Sequence, residues 1–267
     1  MIRSIQLVPL ALLVILASGC QTQSSTKISN LGSGSQIVES NYDRENAASK
    51  RVSAALAYLQ RQDLKRAKYH LDKAQHHKED YAPLHYALGF YYQLSKDVAA
   101  SKKHFVRSLR LDDDNPDYMN AYAQLLCSVG DYEKAEDYFS QAIDVPTYSN
   151  IAAAYLNAGN CAMRQKKTEQ ASQYYRRALN INAKLPGPLL AMASLEFELK
   201  RYNRVKSYLK RYREVAPHSP QSLWLGLRTE HQLGDKDAVA SYALQLEKLY
   251  PDSEETEKFL DTKDQWL

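Results

Sequence analysis

Few residues in this 267-residue chain have types and spacings that could do chemistry. His70, His76, His77 and His85 fall close together near Glu79 and Asp80. A zinc ion wants three or four ligands converging on one point. His76 and His77 stand side by side at a helix end and diverge. No HExxH or CxxC spacing occurs, so no metal ligation is expected. Ser24/Lys27 and Ser207/Lys210 have Ser-x-x-Lys spacing. The first pair lies in a polar stretch and the second on an ordinary basic helix, and the abundance of Ser and Lys accounts for both. No strand is evident for a Gly-rich phosphate loop to follow. The chain therefore reads as a non-enzyme, with no catalytic residue, no cofactor and no small-molecule substrate. Three cysteines remain, Cys20, Cys127 and Cys161, together with the elements that carry them.

Those elements are set by a repeat. The stretch from Gly130 to Ile143 turns at Gly130-Asp131 and puts Ala135, Phe139 and Ala142 on one helix face, a small-large-small stripe. Matching small residues are Ala67, Ser101, Ala135, Ala171, Val205 and Ala238, at intervals of 34, 34, 36, 34 and 33. Four residues after each comes a bulky one: Leu71, Phe105, Phe139, Tyr175, Leu209 and Tyr242. Twelve residues before each lies Gly or Ala: Ala55, Gly89, Ala123, Gly159, Ala193 and Gly226. Two antiparallel helices approach closely only where the side chains at the crossing are small, and a bulky neighbour fills the groove beside them. Pro83, Pro116, Pro146, Pro186, Pro217 and Pro251 fall near the junctions, where they stop one unit and admit the next.

A helix-turn-helix unit repeating near 34 residues resembles the tetratricopeptide (TPR) repeat. The expected fold is all-α: a right-handed α-solenoid of six TPR units over 43–250, closed by a capping helix over 251–267. The units fall at about 48–81, 82–115, 116–151, 152–185, 186–218 and 219–250. The two extra residues of the third belong in the turn from Val145 to Asn150. Val205, Tyr212 and Gln245 break the small-residue rule in the last two units, as terminal units often do. In the final helix, Asp252 or Ser253 can cap, and Phe259 and Leu260 can cover the last repeat.

Residues 1–19 read as a targeting segment: Arg3 supplies a positive start, and the apolar run from Ile5 to Ala17, broken by Pro9, is too short to span a membrane. The ending Leu16-Ala17-Ser18-Gly19-Cys20 resembles a bacterial lipoprotein signal, with Ala17 where Leu is commoner. The resemblance implies acylation of Cys20, and Gln21 after it, in place of Asp, implies the outer membrane facing the periplasm. Residues 20–42, rich in Ser, Gly, Thr, Asn and Gln, read as a flexible tether, and Asp43 as the N-cap of the first helix. An exported compartment is oxidising. Cys127 and Cys161 sit 34 residues apart on the first helices of neighbouring repeats. Two outcomes stay open: a disulfide tying the repeats, or free thiols held beyond the ~7 Å Cα limit.

The first helix of each TPR unit lines the inner wall of such a solenoid. That register gives Val52, Leu56 and Leu59 in the first unit and Tyr86, Phe90 and Leu94 in the second, an apolar wall suited to a peptide or partner helix. It turns polar at Asn120, Gln124 and Ser128 and mixed at Leu156, Asn160, Met163 and Arg164. Tyr86 and Phe90 stand where chaperone-tail clamps carry Lys and Asn, so a carboxylate clamp is not expected. Charge is polarised along the chain. Residues 111–144 hold nine acidic and one basic side chain, and 164–213 hold thirteen basic and three acidic. Lys200, Arg201, Arg204, Lys206, Lys210, Arg211 and Arg213 form a basic patch, read either as a solvated face or as a site for an acidic loop or lipid headgroups. The net charge of +4 gives no case for a nucleic-acid partner.

Three strings narrow the resemblance. Tyr58-Leu59-Gln60-Arg61, the run from Ser222 to Arg228 (SLWLGLR) and the run from Ala240 to Ser253 (ASYALQLEKLYPDS) are similar to the PilF/PilW family of type IV pilus lipoproteins. The resemblance implies a pilotin that binds the pilus secretin and promotes its outer-membrane localisation and assembly into multimers, without catalysis. The alternative is an envelope scaffold of the same architecture that recruits cell-wall hydrolases or outer-membrane assembly factors.

Overall fold

The computed structural model describes residues 27–30, 36–39 and 41–266. Twelve of the helices in this part pair into six antiparallel hairpins: α1 (Asn41–Gln60) with α2 (Leu64–His77), α3 (Ala82–Leu94) with α4 (Val98–Leu111), α5 (Pro116–Ser128) with α6 (Tyr132–Asp144), α7 (Ile151–Arg164) with α8 (Thr168–Ile181), α9 (Pro186–Glu198) with α10 (Tyr202–Val215), and α11 (Pro220–Leu233) with α12 (Lys236–Leu249). Within a unit the two helices pack on each other, and the second packs on the first helix of the next unit. First helices also meet across units, α1 with α3, α5 with α7, α7 with α9 and α9 with α11. This is an all-α TPR solenoid, whose core is a chain of small clusters shared by neighbouring units, the last of them between the sixth unit and the C-terminal segment.

Every hairpin turns on one residue in the left-handed backbone region: Gln62, Lys96, Gly130, Lys166, Lys200 and Gly234, with φ of 57°, 63°, 85°, 60°, 57° and 77°. Glycine takes this conformation freely and other residues do so under strain. Only two of the six turns use it, so composition did not mark the motif. After the turn, Asp63, Asp97 and Asp235 accept hydrogen bonds from the backbone N–H of Arg66, Ala100 and Ala238 at 3.0, 2.9 and 3.0 Å and start the second helix.

The small-large rule has a direct physical basis. Gly89 lies against the Phe105 ring and Gly226 against the Tyr242 ring, so that a Cβ would stand 2.6 and 2.5 Å from ring carbons. Gly159 meets the ring of Tyr175 in the same way. Ala55, Ala123 and Ala193 are fully buried at the equivalent crossings. In the sixth unit the Gly226–Tyr242 contact keeps the common spacing, while Val239 and Ala243 are buried with Leu246 and Ala238 is half-exposed. Val205, an exception to the small-residue rule, is also fully buried. The longer third unit uses its extra turn to bury Tyr148, whose hydroxyl donates to Asp117 Oδ1 at 3.0 Å.

The last repeat is closed by α13 (Glu254–Asp261), capped by Ser253 Oγ accepting from Thr256 N at 3.2 Å. Phe259 is fully buried, but Leu260 faces outward and is half-exposed, contrary to expectation, because one turn of helix can offer only one of two adjacent side chains to the repeat. Trp266 supplies further cover, 5.2 Å from Trp224 and 4.9 Å from His231 between ring centroids. At the other end the tether reading of 20–42 is corrected where it is described. Strands β1 (Lys27–Asn30) and β2 (Gln36–Glu39) pair antiparallel, with Ile28 opposite Val38, and α1 begins at Asn41, ahead of Asp43. The paired stretch contains the β-branched Ile28, Ile37 and Val38, a local strand preference that the surrounding Ser and Gly obscured. Cys20 and the targeting segment lie outside the described residues. No described helix is long and apolar enough to cross a membrane.

Candidate interaction surfaces

Of the six residues expected to form an apolar wall, the structure keeps four at the surface. Val52 and Leu59 are buried, with Val52 packed against Leu71 and Leu84, and they do not line an open groove. The 3.6-residue period puts them on the side of α1 that meets α2 and α3, and this side was misjudged by part of a turn. Leu56 is half-buried and Leu94 is 41% exposed. Tyr86 and Phe90 are half-buried wedges. Their rings meet edge to face at 4.9 Å; Tyr86 also reaches Tyr118 on α5 at 4.9 Å, and Phe90 reaches Phe105 at 5.2 Å. Burial, with the Asp117 carboxylate nearby, pushes the Tyr86 phenol up to about 12. The exposed apolar surface is thus one edge of an aromatic cluster that also spaces α3 from α5.

The histidines do not gather. His70 stacks on Tyr58 at 5.4 Å, and its Nδ1 lies 3.5 Å from Arg51. His76 is exposed and His77 half-exposed at the end of α2. His85 pairs instead with His104, Nδ1 to Nδ1 at 3.0 Å, and His104 stacks on Tyr92 at 5.2 Å. Burial holds His85 below its ordinary range, helped by Arg107, and pushes His104 down to about 4, helped by His85 and Lys103. His104, which reasoning from the sequence missed, lies 34 residues after His70, so the repeat itself was the available signal. Among the described residues no three His, Cys, Asp or Glu side chains converge on a point.

Cys127 and Cys161 are joined by a disulfide with Cα atoms 5.8 Å apart. Ala158 packs beside them in the same cluster, and small side chains of this kind let α5 and α7 come close enough for the bridge.

The basic patch divides into two sets. Glu196 on α9 is 1% exposed and is held by Arg201 and Arg204 at 3.5 and 3.4 Å. Glu230 on α11 is 5% exposed and accepts from Lys206 Nζ at 3.0 Å, a bond that raises the lysine's pKa. Arg211 donates to the Ala183 carbonyl at 3.2 Å and covers the Tyr208 ring, while Lys200 is the left-handed turn residue. The side chains of Lys200, Lys210 and Arg213 make no ion pair or hydrogen bond among the described residues, and Lys210 and Arg213 lie on α10. They line an open groove of about 840 Å³ with Lys206, Ser207, His218 and Tyr242. Of the seven cations of the patch, Arg201, Arg204 and Lys206 are taken up by two buried carboxylates that are invisible as such in the sequence.

A stack of helix hairpins with partly open apolar and charged faces is a TPR scaffold, a class that works through protein–protein contacts. The tetratricopeptide repeat family matches residues 116–146 and 152–185. The Type IV pilus assembly protein PilF of Pseudomonas aeruginosa is 29% identical over 216 residues, 81% of this chain and 86% of the relative. The solved structure of that PilF superposes with a TM-score of 0.67 at 29% identity, covering 82% of this chain and 98% of the other. The crystal structure of PilW, described as a widely conserved type IV pilus biogenesis factor, superposes with a TM-score of 0.69 at 24% identity over 80% of this chain and 98% of that one, and shows the shared fold. An uncharacterized protein of Haemophilus influenzae is 30% identical over 145 residues, 54% of this chain and 81% of the relative. The chain belongs to the PilF/PilW family of type IV pilus biogenesis TPR proteins.

Proposed function

We propose that the chain is a pilotin: a lipid-anchored protein that binds the pilus secretin and promotes its placement and multimer assembly in the outer membrane. The observation that carries this reading is the match to PilF along nearly all of the solved relative, at 98% of that chain. The proposed contact is the apolar edge formed by Leu56, Tyr86, Phe90 and Leu94, where a secretin segment would cover side chains now half-exposed. The anchor is an acylated Cys20, each buried CH₂ of its chains adding about 0.8 kcal/mol. A disulfide between Cys127 and Cys161 is consistent with export to an oxidising compartment. The protein's role is non-enzymatic.

The test reads heat-resistant secretin multimers in cells. Leu94→Lys changes an exposed position and leaves the core alone, whereas Tyr86→Ser and Phe90→Ser also disturb packing and need a folding control. Loss of multimers in the Leu94→Lys strain, with normal amounts of the folded protein, is the expected result. Unchanged multimers in all three strains would remove this surface from the reading. Cys20→Ser should release the protein from the membrane fraction.

A further inference from the structure

The charge left over after the internal ion pairs has a geometry of its own. On α6, Glu133, Asp137 and Asp144 are exposed and make no ion pair among the described residues. They form a stripe along the outer side of the helix opposite the buried Ala135, Phe139 and Ala142. On α10, the unpaired Lys210 and Arg213, with Lys206 already bound to Glu230, line the open groove beside Tyr242, about a quarter-turn round the helix from the buried Val205, Leu209 and Tyr212. The acidic stripe runs from Glu133 to Asp144, and the free cations Lys210 and Arg213 stand about one helical turn apart, a spacing that Glu133 and Asp137 match. Within one chain stripe and groove cannot meet, because α7, α8 and α9 lie between them in the stack.

We propose that the chain binds a second copy of itself head to tail, with the acidic outer stripe of α6 in one copy seated against the basic groove of α10 in the next. Each copy then offers its stripe to one neighbour and its groove to another, a heterologous contact that extends or closes into a ring. The charge polarity along the chain, nine acidic to one basic over 111–144 and thirteen basic to three acidic over 164–213, favours this alignment and opposes the reverse. The groove suits a helix better than a polyanion or a lipid surface. Its walls carry the carboxylates of Glu214 and Glu230 beside the cations, and its lining includes Leu209 and the Tyr242 ring. The proposal does not depend on the secretin reading.

Two differently tagged copies of the full chain, produced in one cell, test it. Capture of one tag should bring down the other at about 50 mM salt and lose it at about 500 mM, where the Debye length is a few ångströms. Lys210→Glu with Arg213→Glu in both copies should lower co-capture at least about tenfold, as should Asp137→Lys with Asp144→Lys in both. Pairing one copy of each swapped variant should restore it. All four positions are exposed, and unchanged helical circular dichroism checks the fold. Absence of co-capture at low salt, indifference to the swaps, failure of the mixed pair to recover, or capture of a single copy with an anionic lipid or a foreign acidic protein would each overturn the proposal.

Discussion

Four residues before each left-handed turn residue comes one equivalent position, marked by the same backbone bond from the residue that begins the second helix: Asp97 N to Tyr92 O, Asp131 N to Leu126 O, Lys167 N to Ala162 O, Arg201 N to Glu196 O, Asp235 N to Glu230 O. In the N-terminal units the position holds Tyr58 and Tyr92, each stacked on a histidine. In the middle it is aliphatic, with Leu126 and Ala162. In the C-terminal units it holds the buried carboxylates Glu196, held by Arg201 and Arg204 from the turn and helix that follow it, and Glu230, held by Lys206 from the preceding α10. One backbone plan therefore accepts a ring, an aliphatic group or an ion pair at the same crossing. What differs is the consequence. The N-terminal end has apolar surface to offer a partner, and the C-terminal end spends much of its charge internally.

The largest expected effect comes from breaking the ionic version. Arg201→Ala with Arg204→Ala strands Glu196, whose Oε2 already lacks a hydrogen bond, and should cost about 3 kcal/mol in urea unfolding. Glu196→Leu, which copies Leu126, should stay within about 1 kcal/mol of the parent, since replacing a buried pair by an apolar group is often neutral. Equal losses in the two variants would mean that the pair is a net source of stability, and the equivalence drawn above would fail. Next in size is Gly89→Ala in the N-terminal half. The added Cβ meets the Phe105 ring at 2.6 Å, and the expected loss is about 1–3 kcal/mol, against the usual gain of alanine over glycine within a helix. An unchanged melting temperature would show that the ring moves aside freely.

A pH dependence probes the N-terminal histidine pair, over a contribution of the same sign from the half-buried His218 at the other end. His85 and His104 have folded pKa values below the ordinary 6.5, His104 at about 4. The unfolded chain therefore takes up protons first as pH falls. Their contribution is complete above about pH 6.5 and is lost progressively toward pH 4. The fall in urea midpoint between pH 7.5 and 5 should be smaller in His104→Phe, and an identical fall would exclude the pair as its source. The smallest effect is Lys200→Gly, which relieves a left-handed lysine at φ 57° and should add about 0.5–1 kcal/mol, read as a raised urea midpoint. A loss of stability there would show that strain is not what the turn carries.

Much of this was legible from spacing alone. The six units, the Gly and Ala crossings and the bulky residues four places on follow from a periodicity that survives any local ambiguity. The turn from Val145 to Asn150 was also placed correctly, because an insertion must fall where no helix bond is broken. The apolar wall was legible only in part. Whether Val52 faces a groove or a core depends on the rotation of α1 against two neighbours, and a shift of part of a turn exchanges the two. The basic patch was legible in part for a related reason: Glu196 and Glu230 count as two ordinary acids in a composition, and only their burial turns them into partners for Arg201, Arg204 and Lys206.

The sequence by itself determined the repeat, the helix pairs and the family resemblance, because these rest on local periodicity and on residues fixed relative to one another along the chain. Only the tertiary structure decided the pairing of Cys127 with Cys161, the stack of His85 on His104, the half-burial of Tyr86 and Phe90, and which cations remain free. Each of these is a distance between side chains on different helices. Such distances depend on how far apart and at what rotation the helices pack, and no single helix's sequence specifies that.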